Sequence, residues 1–487
     1  MVYTFSSSTP WWRHLAAGLR FATETTVVSD LPEADVYIIP AFYRHLHTGG
    51  CDDVALRELG PDVCNDVIAR CRLLRHLERS QAMAMIGAMW QTIEELLDRY
   101  QPELFICFLI DRYILDLAER ALARRGVRYV GLAVGIPPDY VMFMARGEHL
   151  PVREPDEAEV DRIVAALTRS DFRPTYVATN RFTYRRFLRL WAKFTARWLV
   201  FEFLMVWRRN PLDFRYVATR WARCGYRVRL RDWRVMSFFR PDWRTVFEQT
   251  PFEDRVFIGL SVNPEAAIEY WVRDRSLVDY ADVLDRVAAS FGRAGLRLFV
   301  KDHPSQFGFR QFELFDRLAR HDCVTFVPYD VSGREMIDKC HTTFTWTGTV
   351  GFEAAMIGRA VIAEEGAYYL IDDAFLVMRS LADIDAMPAR IRAFRAPNDL
   401  QDLQRRLVRI LLRATVPGSY MAFRDFHPDD AAAVAATASL VDSFNRYLPQ
   451  LATRRVPPAR ADGGFYDPRH LRSVDDPPAA AADRREA

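Results

Sequence analysis

Two runs, the continuous apolar 104–110 (LFICFLI) and 296–300 (LRLFV), apolar but for Arg297, limit what this chain can become. An unbroken apolar strand needs cover on both faces, which the centre of a parallel sheet flanked by helices provides. The first run is followed by Asp111, a helical stretch at 113–125, Gly126 and another strand at 127–132, the pattern of a βαβ unit. A short buried strand at 35–40 and helical periodicity over 55–98 complete that half. The second run belongs to a longer series, with strands expected at 256–260, 296–300, 324–327, 342–346 and 360–363. Helices are expected between them at 276–294, 310–320, 333–340 and 350–357. At 487 residues the chain exceeds one ordinary core. The fold class expected is therefore α/β, with two doubly wound parallel-sheet domains at 1–150 and 251–452. The second is closed by helices at 400–414 and 429–446. Ligands of such sheets bind in the crevice outside the carboxyl ends of the strands.

Residues 151–250 break this rhythm and read as a helical, basic and aromatic insertion. Between positions 181 and 244 there are 16 Arg and one Lys against four acidic residues, a net of +13, although the whole chain carries only +2. Arg181, Arg185, Arg189, Lys193 and Arg197 recur every four residues, and Phe187, Trp191, Phe194, Trp198, Phe201 and Met205 mark another helix face. A basic helix with tryptophans suits an anionic membrane surface, with Trp191 and Trp198 entering it. The competing reading is a packed helix with solvated arginines. Nucleic acid is not an expected partner, because no recognition motif accompanies the charge. Residues 453–487, rich in Pro, Ala, Arg and Asp, read as a disordered tail.

The seven cysteines follow no disulfide or zinc spacing, which suggests reduced thiols in a cytoplasm. The amino terminus lacks the basic start and apolar core of a signal peptide. The most apolar stretch, 198–207, contains Glu202 and falls short of the roughly 20 residues a membrane span requires. The expected location is cytoplasmic, at most peripheral at the inner membrane.

Two motifs carry chemistry. Lys301-Asp302-His303-Pro304 directly follows the strand LRLFV, so His303 lies at a strand's carboxyl end. Its imidazole can donate to a phosphate oxygen, and Lys301 adds positive charge nearby. About forty residues later, 345–355 (TWTGTVGFEAA) runs from a strand through a small-residue turn into a helix. Free N–H groups at a helix start bind phosphate, the Thr347 and Thr349 hydroxyls can add donors, and Gly348 and Gly351 allow close backbone approach. Glu353 is placed to accept from two ribose hydroxyls. No acidic pair sits in a metal-binding context, since Asp52-Asp53 and Asp372-Asp373 read as ordinary loop acids. No metal and no other cofactor is expected.

KDHP followed by TGTVGFEAAMIGRAV resembles the donor domain of bacterial capsule and surface-polysaccharide biosynthesis proteins, a group that includes Kdo-transferase-like enzymes of the two-domain GT-B type. Residues 261–266 (SVNPEA) resemble the same group's Pro-Glu-Ala element, and the resemblance spans roughly 255–370. One departure is Arg359-Ala360, where the group usually has Lys-Pro. The resemblance implies a nucleotide-sugar site formed by Ser261, Glu265, Lys301, His303, Thr347, Gly348, Thr349 and Glu353. His303, Thr347 and Thr349 would lie at the donor phosphate and Glu353 at the ribose. The implied partners are a CMP- or UDP-linked sugar donor and a glycan or lipid-linked glycan acceptor.

The amino-terminal domain would supply the acceptor site and the base. Asp111, ending the central strand at the cleft, is the expected base, ahead of His45, His47 and Glu148. The activity expected is metal-independent sugar transfer to a capsule or surface glycan. A nucleotide-sugar epimerase of the same fold and a non-catalytic assembly or export factor are the alternatives.

Overall fold

The computed structural model of the chain describes residues 1–5, 8–169, 172, 182–208, 228–371, 374–419, 423 and 426–452. Its strands are β1 (Val2–Tyr3), β2 (Val27–Ser29), β3 (Val36–Tyr37), β4 (Leu104–Phe108), β5 (Arg128–Val134), β6 (Tyr140–Met144), β7 (Arg255–Gly259), β8 (Arg297–Lys301), β9 (Val324–Val327), β10 (Thr342–Phe344), β11 (Ala360–Glu364), β12 (Leu376–Met378) and β13 (Thr415–Pro417). They form two sheets, ordered β13-β6-β5-β4-β1-β2-β3 and β12-β11-β10-β7-β8-β9. The second sheet is parallel throughout. The first is parallel from β5 to β3, while β6 pairs antiparallel with both β5 and β13. This is the expected α/β class, a GT-B-like pairing of two sheets.

Both runs form interior strands of their sheets. In β4, Leu104, Phe105, Ile106 and Cys107 are all buried, with β1 on one side and β5 on the other. β8 lies between β7 and β9, with Leu298, Phe299 and Val300 buried. The strand expected at 35–40 is shorter, because the chain enters the helix Ile39–Thr48 immediately after β3.

The carboxyl-terminal part departs from the expected 251–452 unit. β13 pairs with β6, Val416 opposite Val141, so the chain returns to the first sheet. The helix Ala431–Ala452 follows, and its Leu440, Phe444 and Leu448 pack with Trp11, Trp12, Val130 and Phe143. The reason is cover: one face of the first sheet presents Val2, Leu104, Ile106, Val130 and Leu132, more apolar surface than the helix Thr9–Ala17 alone can remove from water.

The basic stretch forms the helix Tyr184–Arg208. Arg185, Arg189, Lys193 and Arg197 are exposed, as their spacing predicts. The aromatic face is not free for a membrane over its first half. Phe187 is buried with Phe307, Tyr329 and Val228, and Trp191 and Phe194 pack against that cluster. Trp198 is half-buried. The helix therefore clasps the loop that follows Pro304, which the sequence did not reveal. Arg181, residues 209–227, Asp372-Asp373, the tail 453–487 and the side chains of Phe201 and Met205 lie outside the described residues. None of the described helices is long and apolar enough to cross a membrane.

The two sheets are joined through an arginine cluster in which Arg70 and Arg72 are buried. Arg70 donates to the carbonyl oxygens of Glu269 (2.9 Å) and Val272 (2.7 Å). Arg72 and Arg75 pair with the Glu269 carboxylate.

Candidate functional site

A cavity of about 1320 Å³ opens between the sheets. In the second sheet the chain runs from β7 outward to β8 and β9, then returns to β10 on the other side of β7. That reversal makes the carboxyl ends of β7, β8 and β10 a topological switch point, the ligand crevice of an open α/β sheet. Those ends lead to Ser261, His303 and Thr347, and all three line the cavity together with Glu265, Lys301, Gly348, Thr349 and Glu353. The eight residues named from the resemblance are thus brought together. The opposite wall, from the first sheet, includes Leu109, Ala133, Val134 and Met142.

His303 is held in one tautomer. Its Nδ1 accepts from the Ser305 N–H (3.2 Å), so the proton sits on Nε2. Burial lowers the imidazole to about 4, against an opposing push from Asp302, so the ring is neutral near pH 7. A neutral ring with Nε2–H is a hydrogen-bond donor rather than a cation. The charge comes from Lys301, which burial lowers to about 8 while Asp302 and Asp330 raise it. Its Nζ donates to the carbonyls of Asp302 and Tyr329, both at 3.4 Å.

The loop's geometry rests on Asp302, Arg310 and Tyr329, which the motif alone gives no role. Asp302 is fully buried and accepts from its neighbour's backbone, His303 N (2.8 Å), from Arg310 Nε (2.9 Å) and Nη2 (2.7 Å), and from Tyr329 Oη (2.5 Å). Arg310 also donates to the Ser261 carbonyl (2.7 Å). One guanidinium therefore ties the loop after β8 to the loop after β7. The signal available was the charge in KDHP itself, because an aspartate at a buried strand end needs a cationic partner.

The second motif differs in detail from its expected use. Thr347 is buried and its hydroxyl donates to the Ala267 carbonyl (2.8 Å), so its proton is spent on the protein. Gly348 N donates to Thr345 Oγ1 (3.2 Å), and the Tyr369 hydroxyl donates to the Gly348 carbonyl (2.7 Å). Gly351 does not serve close approach of a ligand. A Cβ there would stand 2.3 Å from the Tyr369 oxygen, so this glycine makes room for the tyrosine that holds the turn.

Glu265 and Glu353 both line the cavity, and burial raises each to about 7. Arg72 opposes the rise at Glu265, and Arg334 at Glu353. Neither carboxyl has a hydrogen-bond partner among the described residues.

Asp111 is not brought to this group. Both of its oxygens accept from Arg112, at 2.7 and 2.9 Å. Burial pushes its pKa up, but the adjacent guanidinium outweighs that and holds it below the ordinary carboxylate value. A carboxylate so paired is a weak proton acceptor. Three other residues expected as candidates in the amino-terminal domain are likewise engaged elsewhere. His45 pairs with Glu95 (2.9 Å), the His47 ring lies tilted against Tyr43 (centroids 5.5 Å apart), and Glu148 accepts from Arg146 N (2.8 Å).

Among the described residues there is no group of three or more His, Cys, Asp or Glu arranged to hold a metal ion. Comparison with solved structures returns distant likenesses. KpsC, beta Kdo 2,7 transferase of Thermosulfurimonas dismutans, is 12% identical, with 72% of this chain and 89% of that one covered and a TM-score of 0.32. The beta Kdo 2,4 transferase of the same KpsC is 13% identical, with 64% and 81% covered and a TM-score of 0.29. The UDP-GlcNAc 2-epimerase of Methanocaldococcus jannaschii is 11% identical, with 85% and 99% covered and a TM-score of 0.26. No curated protein matches the chain. Residues 269–373, which contain both the KDHP and the TGTVGFEAA motifs, match the family described as capsule polysaccharide biosynthesis protein.

Proposed function

We propose that this chain is a glycosyltransferase of capsule or surface-glycan synthesis that takes a nucleotide-activated sugar in the cavity between its sheets. One observation carries the reading: His303, Lys301, Glu265 and Glu353 converge on one cavity at the switch point of the second sheet. The second sheet is read as the donor side. The first sheet, joined by β13 and the helix Ala431–Ala452, is read as the acceptor side.

In the proposed reaction an acceptor hydroxyl attacks the anomeric carbon. A new C–O bond forms there, the bond from that carbon to the phosphate oxygen breaks, and its electrons leave on the nucleotide. His303 Nε2–H donates to the phosphate oxygens, and the Lys301 charge stabilises the departing nucleotide. Glu265 takes the proton of the acceptor hydroxyl. It replaces Asp111 in this role, because a carboxyl near pKa 7 facing the cavity is suited to accept a proton at neutral pH. Glu353 accepts from the ribose hydroxyls. With donors and positive charge supplied by the protein, we propose that transfer needs no divalent metal and survives EDTA.

Nucleotide release from CMP- and UDP-sugars, with and without candidate glycan acceptors, tests the reading. Acceptor-dependent release is expected. Conversion of the nucleotide sugar without acceptor would mark an epimerase, and calorimetry showing no nucleotide binding would mark an assembly factor.

A further inference from the structure

The helix Tyr184–Arg208 has two different outer halves. Large apolar side chains that stand in solvent are few among the described residues, yet Leu199 (54% exposed), Val200 (57%), Phe203 (62%) and Trp207 (75%) fall within its last three turns. The exposed basic residues Arg185, Arg189, Lys193 and Arg197 fall in its first turns. At about 3.6 residues per turn, both sets lie on the same side of the helix, opposite Phe187, Trp191 and Phe194. Glu202 is the only acidic residue in the helix.

The inner side is not available to a partner. Phe194 packs edge-on to Phe309 (4.8 Å), Phe182 stacks on Tyr329 (4.9 Å), and Phe187 is buried with Phe307. The helix is thus fixed to the protein by one face and presents the other, positive along half its length and apolar along the rest. Soluble proteins rarely leave such contiguous apolar surface open unless it meets a partner.

We propose that this outer face seats on an anionic lipid surface. Lipid head-group phosphates meet Arg185, Arg189, Lys193 and Arg197, while Leu199, Phe203 and Trp207 enter the boundary between head groups and acyl chains. A polyanion such as nucleic acid would satisfy the basic half and leave the apolar half in water. Lipid satisfies both halves at once. Because the inner face grips the loop after Pro304, such seating would hold the donor cavity at a fixed distance from the membrane. The inference does not rest on the glycosyltransferase reading, since lipid binding is measured without turnover.

The test is co-sedimentation of the full chain with phosphatidylcholine vesicles, with and without phosphatidylglycerol, at low and high salt. Wild type is expected to sediment with the anionic vesicles at low salt and to release at high salt, because exposed charges are screened. Replacing Arg185, Arg189, Lys193 and Arg197 together by Gln should weaken binding by roughly tenfold or more. The pair Phe203→Ser and Trp207→Ser should also release the protein from anionic vesicles while leaving the unfolding midpoint unchanged, because both side chains are exposed. Wild type that stays in the supernatant with anionic vesicles at low salt would overturn the proposal. So would equal binding to neutral vesicles. A light-scattering mass that falls from dimer to monomer in the Phe203/Trp207 variant would assign the face to a second copy of the chain and also overturn it.

Discussion

Asp302 and Arg310 form a buried ion pair in which one carboxylate oxygen accepts from both Nε and Nη2, and neither side chain is more than 4% exposed. The pair stands directly behind His303, since Asp302 Oδ1 also accepts from His303 N. Removing one partner leaves an uncompensated buried charge, which costs about 3–5 kcal/mol. Arg310→Met is therefore expected to lower the unfolding midpoint by several degrees and to weaken nucleotide binding, though Arg310 itself is a positioning residue. The double variant Asp302→Leu/Arg310→Met should recover part of the stability but not the nucleotide affinity, because neither partner of the pair is left charged, although Tyr329 Oη and His303 N lose their acceptor. Denaturant unfolding and calorimetry on the three proteins check this.

His303→Ala makes the opposite separation. The side chain holds only its own turn, through Ser305 N, so the expected loss is in nucleotide affinity and turnover with little change in stability. A hydrogen bond to a charged phosphate contributes about 1.5–3 kcal/mol, so affinity should fall at least roughly tenfold. The pH behaviour has a defined sign. The folded imidazole titrates near 4, below its ordinary value of 6.5. Its contribution to stability is fully present above that ordinary value and is lost as pH falls from 6.5 towards 4, where the unfolded chain binds the proton and the folded one does not. His303→Ala should flatten the acid side of the stability profile.

What the sequence disclosed follows from the length and purity of its signals. β4 and β8 were legible because short apolar runs bounded by turn signals, between helical stretches, suit buried parallel strands, and the cavity was legible because both chemical motifs follow strands of that series. β1 and β2 were not, since two or three residues give no periodicity and their place beside β4 is set by tertiary pairing. β13 was hidden for the same reason. The spacing in 184–208 separated the helix faces correctly but could not say which aromatic residues Phe307 and Tyr329 would cover. At Thr347 the residue type was right for a donor, yet the fold brings the Ala267 carbonyl to its hydroxyl, a contact no local pattern signals.

That hydroxyl sets a further expectation. Thr347→Val removes the donor to a buried carbonyl, so it should destabilise the protein by about 1–3 kcal/mol. Any loss of nucleotide affinity should be indirect and accompany that destabilisation. Thr349→Val, at a half-buried cavity position, should lower affinity with a smaller stability cost. Thermal unfolding and calorimetry on the two variants show whether each side chain acts through the stability of the turn or on nucleotide affinity.

Turnover should follow a bell-shaped pH profile. The acid limb comes from Glu265, which must lose its proton to act as base and does so near 7. The alkaline limb comes from Lys301, which loses its charge near 8. Glu265→Gln should abolish most turnover while retaining nucleotide binding, and Lys301→Met should lower the rate and erase the alkaline limb. Steady-state rates across about two units on either side of neutrality test both assignments.

Glu353 permits a proton-linkage test that needs no acceptor. Burial holds its carboxyl near 7 rather than at the ordinary 4.5, so part of it is protonated at neutral pH. The sign for stability follows. Its contribution is complete below 4.5 and is lost as pH rises through 7, because the unfolded chain gives up this proton first. Ribose hydroxyls donating to the carboxylate favour its charged form, so nucleotide binding should expel the proton. Calorimetry at about pH 6 in buffers of different ionisation enthalpy should therefore report proton release on binding, fading at about pH 8.5, where the group is already ionised. Glu353→Gln should remove that release and raise stability relative to wild type in alkaline buffer, whereas Glu265→Gln should leave most of the release in place. Proton release unchanged by Glu353→Gln would place the ribose elsewhere in the cavity.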